Sequence, residues 1–166
     1  MSPEKILIIY NKKEENILRK RTREVDFEKV RKNEFSSTIL RMRKTMRLAR
    51  GIGLSANQIG LDLRLFVAEV PDSEGNLKFY AVLNPKLEKI GGEKLASEEG
   101  CLSVPDTYGL VRRPSKVLLT GFDKNGKPMK IKAWGILARV FQHEIDHLDG
   151  KLFIHRTKNI YKTEKQ

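Results

Sequence analysis

Cysteine, histidine and tryptophan are all scarce in this sequence, with one, three and one copies in 166 residues. A lone cysteine cannot make an internal disulfide, so the fold must hold without covalent staples, as suits a reducing cytoplasm. No run of about 18 apolar residues occurs, which excludes a helical membrane span. The apolar patch in MSPEKILIIYNKK is too short for a secretory signal and no small-residue cleavage site follows it. The expectation is a cytoplasmic protein. Aromatic residues make up only 7% of the chain, and the aromatic-rich signatures of the common RNA-binding modules are missing.

What is present describes a globular chain. Hydrophobic residues at 39% and charged residues at 33% predict a single domain over residues 1–166, large enough to bury a core. The net charge of +12 is unevenly placed: residues 1–50 carry 15 Lys/Arg against 7 Asp/Glu, and residues 151–166 carry 5 against 1. The central hundred residues carry 13 of each. Basic ends of this kind are ordinarily a solvated surface; the sharper reading is a polyanionic neighbour.

Periodicity then orders the elements. Ile6 to Tyr10 reads as a short strand or extended arm, and residues 11–33 as a charged loop with a helical turn or two. Phe35, Ile39, Met42, Met46 and Ala49 recur at helical spacing, with Gly51 as the stop. Two apolar strands, 63–70 and 77–84, flank PDSEGN, and two more, 116–123 and 127–133, flank Lys124-Asn125-Gly126. Pro85 and Gly91-Gly92 punctuate an extended segment between them. The last helix carries Ile136, Leu137, Val140, Phe141, Ile145 and Leu148, with Gly150 at its C-terminal end. The order predicts an α+β fold with antiparallel sheet packed on this C-terminal helix.

Three stretches carry chemistry. In QHEIDH, His143 and His147 stand four residues apart, about 40° from alignment on a helix, so both imidazoles reach one metal ion. Glu144, about 100° round from His143, can face a water in an open coordination position. A third ligand is still needed, and three histidines in all leave few sources. SEEGCLSVP offers Cys101, a residue that is by default a small buried hydrophobe but here sits beside a glycine and a pair of carboxylates. In GIGLSANQIG, the glycines follow a helix and fit a phosphate loop poorly. They read either as a plain turn or as backbone lying close against a ligand, with the Gln58 amide at its end. Glu99 and Arg113 flank the cysteine segment and are expected to form an ion pair bracing it.

GIGLSANQ, EGCLS and QHEIDH, in this order and at these separations, resemble the three motifs of bacterial peptide deformylase. The likeness runs from about Ile6 to Ile154. It implies antiparallel β-sheets wrapped around a central C-terminal HExxH helix. The implied activity is a metal-dependent hydrolase that removes the formyl group from the N-terminal methionine of nascent polypeptides. It makes Cys101, His143 and His147 the metal ligands, Glu144 the acid/base, and the Gln58 side chain and Leu102 N–H the donors to the substrate oxygen. Gly53, beside Ile52, corresponds to a glycine whose backbone meets the peptide. It implies one divalent ion per chain, iron(II) in the native state, with zinc, nickel or cobalt able to replace it. Ser55 stands where an alanine is common, and Tyr108 where some members carry an arginine.

Ile136, Arg139 and Val140 lie within about 60° of His143 on the helix, and the corresponding strip in the family lines the methionine pocket. Arg139 is expected to pack its stem there while its guanidinium reaches water. The basic ends, including a short tail over 154–166, are the segment expected to meet a ribosome surface. The rivals are a zinc endopeptidase, for which only His155 could be a downstream ligand, and a non-catalytic RNA-binding module.

Overall fold

The computed structural model describes residues 2–163 and, at Ile90, the backbone alone. The chain runs α1 (Lys12–Leu18), α2 (Phe27–Arg31), α3 (Ser36–Leu48), β1 (Gly53–Ser55), β2 (Leu65–Pro71), β3 (Leu77–Cys101), β4 (Val104–Phe122), β5 (Pro128–Trp134), α4 (Gly135–Leu148) and β6 (Ile160–Lys162). Before α1 an extended arm crosses the molecule: Leu7 N–H donates to Gln58 O at 2.8 Å and Ile9 N–H to Ser103 O at 3.0 Å.

Residues 11–33 are more ordered than their weak pattern suggests. The Asn11 side chain caps α1 by accepting from the Lys13 and Glu14 amides, and Asp26 caps α2 by accepting from Glu28. Helices of seven and five residues are too short to show a helical period, so capping chemistry was the only legible signal. Helix α3 buries Ile39, Met42 and Met46 as its spacing predicts. Its stop differs from expectation: Arg50, not Gly51, adopts the left-handed conformation (φ +56°). Gly51 N–H then bonds back to Met46 O at 2.9 Å. A Cβ there would lie 2.8 Å from Leu102 Cδ1, so a larger residue would push that side chain aside.

The strands form one antiparallel sheet in the order β1-β2-β3-β4-β5, with β6 added to β4 away from that path. Both expected hairpins are present, β2–β3 through Asp72–Asn76 and β4–β5 through Asp123–Lys127. The strands are longer than the sequence suggested. Strand β3 runs 25 residues through Pro85 and Gly91-Gly92, which sit at its register shifts, and β4 runs through Pro114. Bulges absorb the proline's missing donor and the glycines' positive φ, so the ladder bends without ending.

Helix α4 packs on this sheet. Ala138, Phe141, Ile145 and Leu148 share a core with Phe66, Tyr80, Val82, Val117 and Leu119. The Phe141 ring lies 5.8 Å from Phe66 and 5.4 Å from Tyr80, centroid to centroid. Gly150 follows the helix at φ +73°, as expected of a C-terminal glycine. This is the predicted α+β fold with antiparallel sheet around the C-terminal helix.

Much of the basic N-terminal charge is neutralised within the fold. Arg41 pairs with Glu4 at 3.1 Å, while Arg43 and Arg47 both hold the buried Glu69 carboxylate of β2. Hydrogen bonds from Arg47 and Arg43 bring the Glu69 pKa down to about 2 against the opposing effect of burial. A depressed carboxylate pKa stabilises the fold above the unfolded value near 4.5 and loses that contribution as pH falls towards 2. Glu69→Gln is therefore expected to cost about 2 kcal/mol at pH 7, the half-exposed arginines discounting the full shift. In denaturant melts, the gap between wild type and variant should shrink steadily between pH 5 and pH 2.5.

Candidate active site

Helix α4 presents His143 and His147 on consecutive turns, their Nε2 atoms 3.2 Å apart. Cys101 ends β3 just before the two-residue turn Leu102-Ser103, and its Sγ lies 3.1 Å from His147 Nε2. The three ligand atoms all fall within 4.8 Å of one another. One thiolate and two imidazoles are a three-protein-ligand set that leaves a fourth tetrahedral position open. The polar surroundings orient them: Glu99 Oε2 sits 3.0 Å from His143 Nδ1, which turns Nε2 towards the cluster.

Charge agrees with geometry. Burial alone would lower the His143 pKa, yet hydrogen bonds to Cys101 and Glu99 hold it well above the usual range. Burial and the neighbouring His143 push His147 well below it. A cysteine sulfur and two imidazole nitrogens converging on one point, with the Glu99 carboxylate behind one ring, are a donor set that suits a divalent cation. The residues fit a metal.

Glu144 lies beside this cluster, 3% exposed, and burial raises its pKa to about 7. Strand β1 shapes its surroundings through two residues of one face. A Cβ on Gly53 would run into the Glu144 carboxylate, so only glycine leaves it room. Two residues on, the buried Ser55 Oγ lies 2.8 Å from Glu144 Oε2 and 2.9 Å from its main-chain oxygen. The Gln58 side chain closes the same corner: Oε1 accepts from Ser55 N–H at 2.9 Å, and Nε2 donates to Ser103 Oγ at 3.1 Å and faces Cys101 Sγ at 3.7 Å.

These groups open on a cleft of about 630 Å³. Ile52, Gly53, Gln58, Cys101, Leu102, Ile136, Arg139, Val140, His143 and Glu144 line it, and His147 is buried. The sequence reading missed the other wall, where Arg50, Glu98, Asp106, Thr107 and Tyr108 also line the cleft. Two signals had marked parts of it: the pair of carboxylates before Cys101, which includes Glu98, and the Tyr108-for-arginine difference.

The expected Glu99–Arg113 pair is present and bidentate, at 2.6 and 2.8 Å. It belongs to a larger network, because Arg113 also donates to Asp146 at 2.7 Å, and Asp146 in turn holds Arg156. Arg139 departs from expectation. Its guanidinium is not left to solvent alone but donates to Glu99 Oε1 at 2.7 Å, Val111 O at 3.1 Å and Leu95 O at 2.9 Å. A desolvated carboxylate and two main-chain carbonyls hold a planar fork better than solvent does. Burial would raise the Glu99 pKa, but Arg113 and His143 together keep it far below the carboxylate range.

The chain matches the family model for polypeptide deformylase over residues 5–163. The chain belongs to the peptide deformylase family. These metal-dependent hydrolases remove the N-formyl group from the N-terminal methionine of nascent polypeptides. The chain is 45% identical over 148 residues to the peptide deformylase of Pelotomaculum thermopropionicum, covering 89% of this chain and 90% of that one. It is 43% identical over 118 residues to peptide deformylase 2 of Gloeobacter violaceus, covering 71% of this chain but 63% of that protein's length. The fold is similar to a Met-Ala-Ser-bound class I type b peptide deformylase from Acinetobacter baumannii, with TM-score 0.84 and 27% identity over 94% of this chain and 99% of that one.

If the Ser55 hydroxyl orients the deformylase-family glutamate, Ser55→Ala should lower kcat for formyl-Met-Ala-Ser about 2- to 13-fold, as for one ordinary hydrogen bond of about 0.5–1.5 kcal/mol. Metal content and KM should stay close to wild type. Equal kcat in the two enzymes would show that the Gly53 cavity and the helix alone orient the carboxylate.

Proposed function

We propose that this chain deformylates nascent polypeptides in the cytoplasm, using one catalytic domain and one divalent ion per chain. The observation that carries the reading is the convergence of Cys101 Sγ and two histidine Nε2 atoms beside a buried glutamate in one peptide-sized cleft. A cation held by Cys101, His143 and His147 would polarise the formyl oxygen and acidify a bound water.

The chain's own residues do the rest. Glu144, with a pKa near neutrality, takes a proton from the attacking water and returns it to the departing amine. Water adds to the formyl carbon first, and the C–N bond then breaks as the nitrogen takes that proton, leaving formate and a free N-terminal methionine. Gln58 Nε2 and the Leu102 N–H donate to the oxygen on which negative charge gathers. Ile52 and Gly53 meet the peptide backbone, and Ile136, Val140 and the Arg139 stem enclose the methionine side chain. The relative from Acinetobacter baumannii carries Met-Ala-Ser, the kind of peptide such a cleft would release.

Thiolate and imidazole suit iron(II) and zinc alike, and iron(II) is the proposed native ion, with zinc, nickel or cobalt as substitutes. The basic ends would bring the enzyme to the ribosome surface. The internal pairing of Arg41, Arg43 and Arg47 leaves this to other cations than those. The endopeptidase reading loses its third ligand, since His155 faces Arg19 at 2.6 Å and accepts from Leu152 N–H.

Glu144→Gln should retain stoichiometric metal while losing about three orders of magnitude in formate release from formyl-Met-Ala-Ser, consistent with loss of an acid/base group. An active, fully metallated variant would sink the assignment. Cys101→Ser should instead lower metal content, measured by elemental analysis after anaerobic purification, because an alkoxide replaces thiolate poorly. Unchanged metal affinity would place the third ligand elsewhere.

A further inference from the structure

The cleft wall opposite α4 is built from β3 and β4, and its outer edge is closed by the last strand. Three consecutive cleft residues each have a partner there. Thr107 pairs with Lys162 and Tyr108 with Tyr161 in register, while Thr163 N–H donates to Asp106 O at 3.0 Å. Across one sheet face, Gly100, Tyr108 and Tyr161 stand side by side. The Tyr108 ring covers Gly100, where a Cβ would lie 2.8 Å from its Cε1, and stacks on Tyr161 at 6.0 Å and 25°. The Tyr161 hydroxyl donates to Glu98, another cleft residue.

The docking is built into the sequence of β4 itself. A Cβ at Gly109 would meet Thr157 Cγ2 at 3.0 Å and Asn159 O at 3.1 Å, so the tail lies close against this glycine and a side chain there would press it outward by a few tenths of an ångström. Leu110 N–H donates to Asn159 O at 3.1 Å, and Lys162 Nζ lies over the Tyr10 ring at 5.8 Å. Ile160–Lys162 is therefore a hydrogen-bonded edge strand whose side chains remain exposed; residues 164–166 of the expected basic tail lie outside the described residues.

We propose that the Ile160–Lys162 strand is part of the peptide-recognition apparatus, with Tyr161 a positioning residue that fixes the Tyr108 ring and the Glu98 carboxylate against the cleft. The ring presents an apolar face beside the residue that precedes Cys101. A formylated dipeptide anchored at the metal centre spans little of that wall, whereas a third or fourth residue continues along it. The ligand class is thus the downstream segment of an extended peptide, with apolar or aromatic side chains favoured at the ring. Tyr161 itself does not line the cleft, so its effect is transmitted through Tyr108.

This inference rests on the deformylase reading, and the experiment separates the two. Formate release is measured on metallated wild type, Tyr161→Ala and Tyr161→Phe with formyl-Met-Ala, formyl-Met-Ala-Ser and formyl-Met-Ala-Phe. Tyr161→Ala should lower the ratio of kcat/KM between formyl-Met-Ala-Phe and formyl-Met-Ala about threefold to tenfold, through KM rather than kcat. Tyr161→Phe keeps the stack and should recover most of that ratio. A ratio unchanged in Tyr161→Ala, or an equal loss on dipeptide and tripeptides, overturns the proposal while leaving deformylation intact. No formate from wild type on any substrate overturns the deformylase reading instead. Tyr161 is 44% exposed, so its truncation is not expected to unfold the chain; should Tyr161→Ala nevertheless be unstable, an unaltered ratio in Tyr161→Leu decides against the proposal.

Discussion

Glu99 is a carboxylate taken out of water next to a metal centre, and such a group survives only if every oxygen is answered. Arg113, Arg139 and His143 answer it from β4 and α4. Removing one partner from a buried charge network ordinarily costs about 3–5 kcal/mol, because the remaining charge is stranded. The same carboxylate aims a histidine, fixes the helix that carries both histidines, and pins the strand that ends in Cys101. Metal-centre geometry and fold stability are therefore one problem here.

That coupling changes the meaning of Arg139. Arg139 is among the cleft-lining residues, but its fork is committed to Glu99 and two carbonyls. A change at this position would disturb the support of His143 along with the shape of the pocket, so its kinetic effect cannot be read as lost methylenes alone. Helical angles could say which way Arg139 points. They could not say that Leu95 and Val111, distant in sequence, would bring carbonyls to meet it.

The same division runs through the whole chain. Both hairpins, α3 and α4 were legible because turn residues and apolar periods are local signals. The ordered motifs GIGLSANQ, EGCLS and QHEIDH marked Cys101, His143, His147, Glu144 and Gln58, all of which the fold gathers into one site. Local signals misled where a longer-range pairing overrode them. Gly91-Gly92 punctuates an extended segment as its sequence suggests, but the ladder runs through it as a bulge because β4 continues on the far side. The tail strand was invisible for the same reason, since its partner is β4 and the tail lies close against Gly109. Ser55 was noted only as a substitution, and its hydroxyl acquires meaning only when Glu144, 89 positions away, arrives beside it.

The extended arm at the start of the chain has a consequence for biogenesis. Its amides close on Gln58 and Ser103, and Thr22 N–H closes on Leu148 O, 126 positions later. These are non-local closures, each requiring a long loop to be fixed before any contact is gained. Closures of this span slow folding relative to helical bundles, whose contacts are local in sequence. Cys101 also leaves the ribosome before either histidine, so its thiol spends that interval without the α4 imidazoles. Until the last third of the chain emerges, there is no site to fill.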